Sequence, residues 1–286
     1  MDFEKKHQED LQRLRGFRLL DDDFMTKVFE DISCAELLLR IILNDEGIRV
    51  LEAHSQRGIK NLQGRSVKLD ILAVDSHNRV FNVDVQRSDR GAGAKRARYN
   101  SALIDANVTE PGDQYEDLNE TFVIFITEND VMKAGLPIYH IDRVVRETGK
   151  LFEDEEHIIY VNSQIKDETK LGRLMHDFSC TDAKDMYNKV LADRVRYFKE
   201  DERGVEIMCR EMEIMRNQAH EEGIEKGRIM QLIKQVCVKM QKFSSAEEVA
   251  NDLVEQDVPL IQKIMNVAPD FAPDYNVNDI YNALKL

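Results

Sequence analysis

Apolar residues recur at helical spacing through the first quarter of the chain. Val28, Phe29, Ile32, Leu37, Leu38, Ile41 and Ile42 fit a helix with one buried face, and Asp21, Asp22 and Asp23 offer N-caps. The spacing predicts one helix over 24–43. A short strand over 47–53 and a polar loop over 58–64 follow. The rhythm then changes. Residues 67–74 (VKLDILAV) form an apolar run with Asp70 set into it, and residues 79–86 (RVFNVDVQ) are rich in strand formers. Between them, Asp75, Ser76, His77 and Asn78 are turn chemistry. The two runs predict a β-hairpin.

Gly91 and Gly93 then loosen the chain before a helix over 94–106 and a loop over 110–115. Residues 122–127 (FVIFIT) are continuously apolar, the pattern of a strand buried on both faces. Strands are predicted over 138–145 and 157–161, paired around an acidic turn. From Asp167 onward the pattern is helical. The segment 203–242 reads as one long charged helix punctuated by Gly204, Gly223 and Gly227. Ser244 and Ser245, with Glu247 and Glu248 three residues on, form a capping-box pattern. The expected organisation is an α/β core over 1–165, a helical extension over 166–243, and a small helical segment over 244–286.

Composition narrows the class. Apolar residues make up 42% of the chain, enough for a real core, and charged residues 33%, which suits exposed helices. No apolar run reaches the ~18 residues that a membrane span needs. The start of the chain, MDFEKKHQED, lacks the apolar centre of a signal peptide, so the cytoplasm is the expected location. Cys34, Cys180, Cys209 and Cys237 are scattered, with no Cys-x-x-Cys pair, and are expected to be reduced thiols. The seven histidines show no ligand spacing. The net charge of −14 argues against a protein that binds nucleic acid through bulk charge alone. It leaves room for a local basic strip and for a cation that supplies positive charge.

The candidate chemistry lies in the hairpin. Asp70 is on its first strand and Asp84 on its second, where facing side chains can lie ~5 Å apart. Two carboxylates that close repel, and apolar strands are a costly place for them. A magnesium ion is a natural compensator, since it takes oxygen ligands and keeps positions for water and phosphate. Gln86 shares a face with Asp84, and the Val85 carbonyl is within reach of the same ion. Five basic residues, Arg87, Arg90, Lys95, Arg96 and Arg98, against one acid, Asp89, form the densest basic patch near this site.

The motifs LLDDDFM (19–25), SVKLDILAVD (66–75), VFNVDVQ (80–86), KRARYNSALID (95–105), YEDLNETFVIFIT (115–127) and HEEGIEKGR (220–228) occur in order. Together they resemble the PD-(D/E)xK nuclease superfamily, and within it the recombination-promoting nuclease or PD-(D/E)xK nuclease family transposase branch. The resemblance covers about residues 19–228. It implies a restriction-endonuclease-like α/β fold, a mixed central sheet flanked by helices with an all-helical C-terminal extension. It also implies a metal-dependent DNA endonuclease using Mg²⁺ or Mn²⁺, with Asp70, Asp84 and Val85 as metal ligands and Gln86 in the place of the superfamily lysine. Arg87, Lys95, Arg96 and Arg98 would then meet DNA phosphates. The chain departs from the branch at Asp84, where Glu is more usual, and at Asn100, where a second Tyr often follows Tyr99.

Competing expectations remain open. Asp70 and Asp84 are also compatible with solvated strand ends paired to Lys68 or Arg79. Glu36 or Glu30 is a further candidate ligand from the first helix. The chain is compatible with a nuclease-fold binding module that has lost catalysis. It is equally compatible with a self-associating protein, in which Ile207, Met208, Met212, Ile214, Met215, Ile229, Met230 and Ile233 bury against a second copy.

Overall fold

The computed structural model describes residues 3–59, 61, 66–87, 89–109 and 112–284, without the side chains of residues 3, 4, 89 and 90. The chain forms two compact units, Met1–Cys209 and Arg210–Leu286. The predicted loops over 58–64 and 110–115 fall partly outside the described residues.

The first unit opens with helix α1 (Phe3–Gly16), which the sequence pattern does not announce. The single helix expected over 24–43 is two helices, α2 (Asp22–Phe29) and α3 (Ile32–Leu43). The break has a local cause. Asp31 adopts an extended backbone, and its carboxylate accepts the Ser33 N–H at 2.9 Å, so it caps a new helix. Strand β1 (Val50–Ile59) is followed by the expected hairpin of β2 (Val67–Asp75) and β3 (Val80–Gln86). Helix α4 (Ala94–Val108), the buried strand β4 (Thr121–Thr127), and strands β5 (Ile138–Ile141) and β6 (Glu156–Asn162) complete the sheet region. Helices α5 (Lys170–Ser179) and α6 (Lys189–Glu200) follow, and the 38-residue α7 (Glu202–Lys239) runs unbroken through its glycines.

The six strands form one sheet in the order β1-β2-β3-β4-β6-β5. The first three are antiparallel, β3, β4 and β6 are parallel, and β5 closes the edge antiparallel to β6. All seven residues of β4 are buried, as expected for a strand covered on both faces. On one face, Ala97, Leu103 and Ile104 of α4 pack with Leu72, Val80, Val123 and Phe125. Elsewhere in the unit, Phe29 of α2 stacks on Phe178 of α5 with ring centroids 5.7 Å apart. This mixed sheet with flanking helices and a helical C-terminal region is the expected architecture, consistent with a restriction-endonuclease-like α/β fold.

The segment between α1 and α2 is pinned on both sides. Leu20 donates its N–H to the Phe178 carbonyl at 3.1 Å. Lys199 of α6 donates to the carbonyls of Arg15 and Thr181 at 3.2 and 2.6 Å. The start of α2 is thereby fixed to the body of the unit.

The second unit packs the end of α7 with α8 (Ala246–Leu253), α9 (Val258–Val267) and α10 (Val277–Leu284). Ser245 and Glu248 form the capping box in full. Ile229 and Ile233 are buried in this unit's own core beside Val249, Ile261, Ile264 and Ile280. That corrects their assignment to a partner chain, whereas Ile207 and Ile214 remain exposed. All four cysteines are free. Among the described residues no helix is long and apolar enough to cross a membrane.

Replacing Phe29 with Ala removes a fully buried ring and should cost about 3–5 kcal/mol in urea unfolding of the chain, whereas Leu51→Ala, 59% exposed, should cost less than about 0.5 kcal/mol.

Candidate functional site

The β2–β3 register determines the site. Ile71 pairs with Val83 and Leu72 with Asn82. The next step of the same register puts Asp70 opposite Asp84. Because strand side chains alternate, Asp70, Asp84 and Gln86 share the face that carries Leu72 and looks toward α4. The two acids are tied to each other's strands. Asp84 Oδ1 accepts the Asp70 N–H at 3.2 Å, and Asp70 Oδ2 accepts the Val85 N–H at 3.1 Å. Neither is a solvated strand end: Asp84 has no exposed surface and Asp70 only 7%.

Three side chains complete the cradle of Asp84. Asn82 donates to Oδ1 at 3.1 Å, and Asn100 and Arg96, both on α4, donate to Oδ2 at 3.2 Å. Arg96 also donates to Gln86 Oε1 at 3.3 Å and to the Gly91 carbonyl at 3.0 Å, with its guanidinium 5.9 Å from the centre of the Phe125 ring. One arginine therefore bridges the second aspartate and the glutamine. A Cβ at Gly91 would come within 1.7 Å of Gln86 Oε1, so a side chain there would displace the amide from this position.

A third carboxylate enters from α2. Asp22 is hydrogen-bonded to the Asp70 carboxyl, and burial raises its pKa. Burial, followed by the charges of Asp84 and Asp22, pushes Asp70 up to about 8. Burial also raises Asp84, opposed most strongly by Arg96 and then by Asn82. Asp84 is held by four donors, whereas Asp70 has two acids beside it, and burial raises all three carboxyls as one interacting group. Asp22, Val85 and Gln86 line a cavity of about 450 Å³ that Asp21, Asp23 and Arg87 help to close. The site therefore opens to solvent beside Asp22.

Among the described residues, three acids against one arginine, Arg96, leave two uncompensated negative charges when all are ionised. All are hard oxygen donors, the chemistry that suits Mg²⁺ or Mn²⁺. The residues present fit a divalent cation.

Residues 36–171 match the PD-(D/E)XK nuclease family transposase model. That segment is similar to the family that the ordered motifs resemble, and the similarity suggests a nuclease or transposase-like function. PD-(D/E)XK nucleases generally use divalent metals, and a nuclease family implies a DNA substrate. No curated protein and no solved structure matches the chain.

The extra carboxylate comes from a different place than the sequence pattern suggests. Glu36 accepts the Val50 N–H at 3.0 Å and pairs with Arg40. Val50 pairs with Asp75, the end of β2 opposite Asp70. Glu30 is held by Lys27 and Ser55. Asp22, which the pattern presents as an N-cap, is the helix acid that reaches the site. Asn100, in sequence only a departure from the family pattern, is a donor to Asp84. Of the basic strip, Arg87 is tied to Asp21 and Glu128 at 3.0 and 3.4 Å, and Lys95 and Arg98 are exposed on α4. The side chain of Arg90 lies outside the described residues. Burial pushes the Cys34 thiol up to about 12 and the Cys180 thiol up to about 11, so neither is poised as a nucleophile at neutral pH.

Asp70 titrates higher in the folded chain than in the unfolded one, so between pH 4 and about 8 the folded state holds the extra proton. Stability should fall as pH rises through that window in chelator-treated protein. Asp70→Asn, which keeps an acceptor for the Val85 N–H, should flatten that slope and raise the urea midpoint at pH 8.

Proposed function

We propose that this chain is a Mg²⁺- or Mn²⁺-dependent DNA endonuclease that hydrolyses phosphodiester bonds. The observation that carries the reading is the convergence of Asp22, Asp70 and Asp84 at one end of β2 and β3, with Arg96 paired to Asp84. Asp70, Asp84 and the Val85 carbonyl would hold the ion, with Asp22 beside them. When bound, a divalent ion supplies Lewis-acid stabilisation of the phosphate and lowers the pKa of the attacking water.

The chain's own residues do the rest. The Gln86 amide, held by Arg96, keeps its NH₂ group to orient the water or a phosphate oxygen. Arg96 brings to the glutamine the positive charge that the superfamily lysine would carry at that position. Its two ends are fixed by Asp84 and by the Gly91 carbonyl, so little reorganisation is needed when charge builds on the phosphate. Lys95 and Arg98, exposed on the same helix, are placed to meet the DNA backbone, as is Arg87 once it exchanges Asp21 and Glu128 for phosphate. The catalytic core would lie within 1–165, with 166–243 and 244–286 as accessory helical segments acting in the cytoplasm.

A second reading has one observation in its favour. Asp84 already accepts four hydrogen bonds and is wholly buried, a state in which it needs no ion. In that reading the chain binds DNA or protein without cutting.

Plasmid nicking decides between them. Wild-type protein should nick DNA with Mg²⁺ or Mn²⁺, and Asp70→Asn and Asp84→Asn should lower the rate by on the order of 100-fold or more. Arg96→Lys should retain more activity than Arg96→Ala, because the lysine restores charge beside Gln86. Equal cleavage by wild type and Asp70→Asn would overturn the enzyme reading.

A further inference from the structure

The last turn of α5 carries a second group of metal-binding atoms that the nuclease reading does not use. Among the described residues, one ligand atom each from His176, Asp177 and Cys180 lies within 4.8 Å of the other two. His176 Nδ1 is 3.5 Å from Cys180 Sγ and 3.7 Å from Asp177 Oδ1. The histidines show no ligand spacing among themselves, but positions 176 and 180 are i and i+4, neighbours on one helix face. We propose that His176, Asp177 and Cys180 form a binding site for a zinc-class transition-metal ion.

Tetrahedral zinc with bonds of about 2.3 Å to sulfur and about 2.0 Å to nitrogen and oxygen separates its N and S ligands by about 3.5 Å and its N and O ligands by about 3.3 Å. The observed N···S separation already has that value, and the N···O separation needs to close by a few tenths of an ångström. The mixed nitrogen, oxygen and thiol set favours a borderline-soft ion over the hard cation expected at Asp70.

The carboxylate is held as a ligand carboxylate should be. Asp177 has no exposed surface. Its Oδ2 accepts the Asn188 N–H and side-chain amide at 2.8 and 2.7 Å, and its Oδ1 accepts only the Tyr187 N–H at 2.7 Å. The oxygen that faces His176 is thus the one with an acceptor position to spare, while its partner is fixed from behind. The His176 ring rests against Tyr187, with centroids 4.8 Å apart. His176 is 37% exposed, which leaves a path for the ion and a fourth position for water. Binding would release the Cys180 thiol proton to solvent and leave a thiolate on the metal. The ion would brace the end of α5 around Asp177, which already holds the 181–188 segment through Tyr187 and Asn188, a structural role separate from phosphodiester chemistry.

Cobalt(II) titration of the chelator-treated full chain tests this. A cobalt–thiolate charge-transfer band in the near ultraviolet reports a metal–sulfur bond, so an ion held by Asp70 and Asp84 does not contribute. We expect the band to saturate at one equivalent, to vanish in Cys180→Ser, which keeps the other three cysteines, and to need at least about tenfold more cobalt in His176→Gln, whose exposed side chain can change without unfolding the chain. Zinc should displace the band in wild type. No band at stoichiometric cobalt, or a band that survives both substitutions, would overturn the proposal.

Discussion

Two aspartates that face each other across a hairpin, with almost no water to solvate them, are the constraint around which this molecule is arranged. The β2–β3 register makes the pair unavoidable, and each acid accepts a main-chain N–H from the other strand. Those two bonds fix the carboxylates without neutralising them. Asn82, Asn100 and Arg96 crowd onto Asp84 because a buried carboxylate must be hydrogen-bonded or protonated. Asp70 receives less help and faces a second acid, Asp22, and burial with these neighbouring charges raises its pKa. The pair is therefore asymmetric, one acid held by four donors and the other with fewer donors and a further acid beside it.

Much of this is legible in the chain because it is local. A hairpin with a short turn places residues by counting, so the pairing of Asp70 with Asp84 and the facing of Gln86 follow from strand alternation. The buried strand β4, the long helix α7 and the capping box at Ser245 are likewise written in adjacent residues. What is not legible depends on tertiary reach. Asp22 looks like one of three equivalent capping acids; only the pinning of the preceding segment by Phe178 and Lys199 turns it toward Asp70. Asn100 looks like an ordinary helix residue until α4 is laid across the sheet. The break between α2 and α3 is readable in principle, since Asp31 is a good cap, but the apolar stripe runs across it and conceals it.

The absence of the superfamily lysine changes meaning once Arg96 is placed. A lysine at position 86 would bring a mobile ammonium on a flexible stem, whereas glutamine with an arginine behind it separates two tasks. The guanidinium anchors to Asp84 and Gly91, and in the proposed nuclease it would supply charge while the amide keeps its donors for the substrate. The absence of a side chain at Gly91 leaves room for this arrangement. The amide of Gln86 lies where a Cβ would be, and displacing it would release Arg96 from one of its partners.

The net charge of −14 poses an electrostatic problem for any DNA substrate, and the distribution of charge answers part of it. Screening confines exposed charges to about 10 Å at 0.1 M salt, so a polyanion approaching the site responds to what lies near it and little to the total. Near the site lie α4, with Lys95 and Arg98 exposed, and Arg87 at the end of β3. Acids of the other sheet end, Asp45, Glu116, Asp117, Glu120 and Glu155, line a separate cavity of about 600 Å³ around the β2–β3 turn. The end that carries Asp70 and Asp84 mixes these basic residues with Asp21, Asp22, Asp23 and Glu128, whereas acids outnumber the cations around the turn. Arg87 is 60% exposed but is paired with Asp21 and Glu128, whose side chains are only 17% and 31% exposed, so a phosphate that took it would have to replace two partly buried carboxylates.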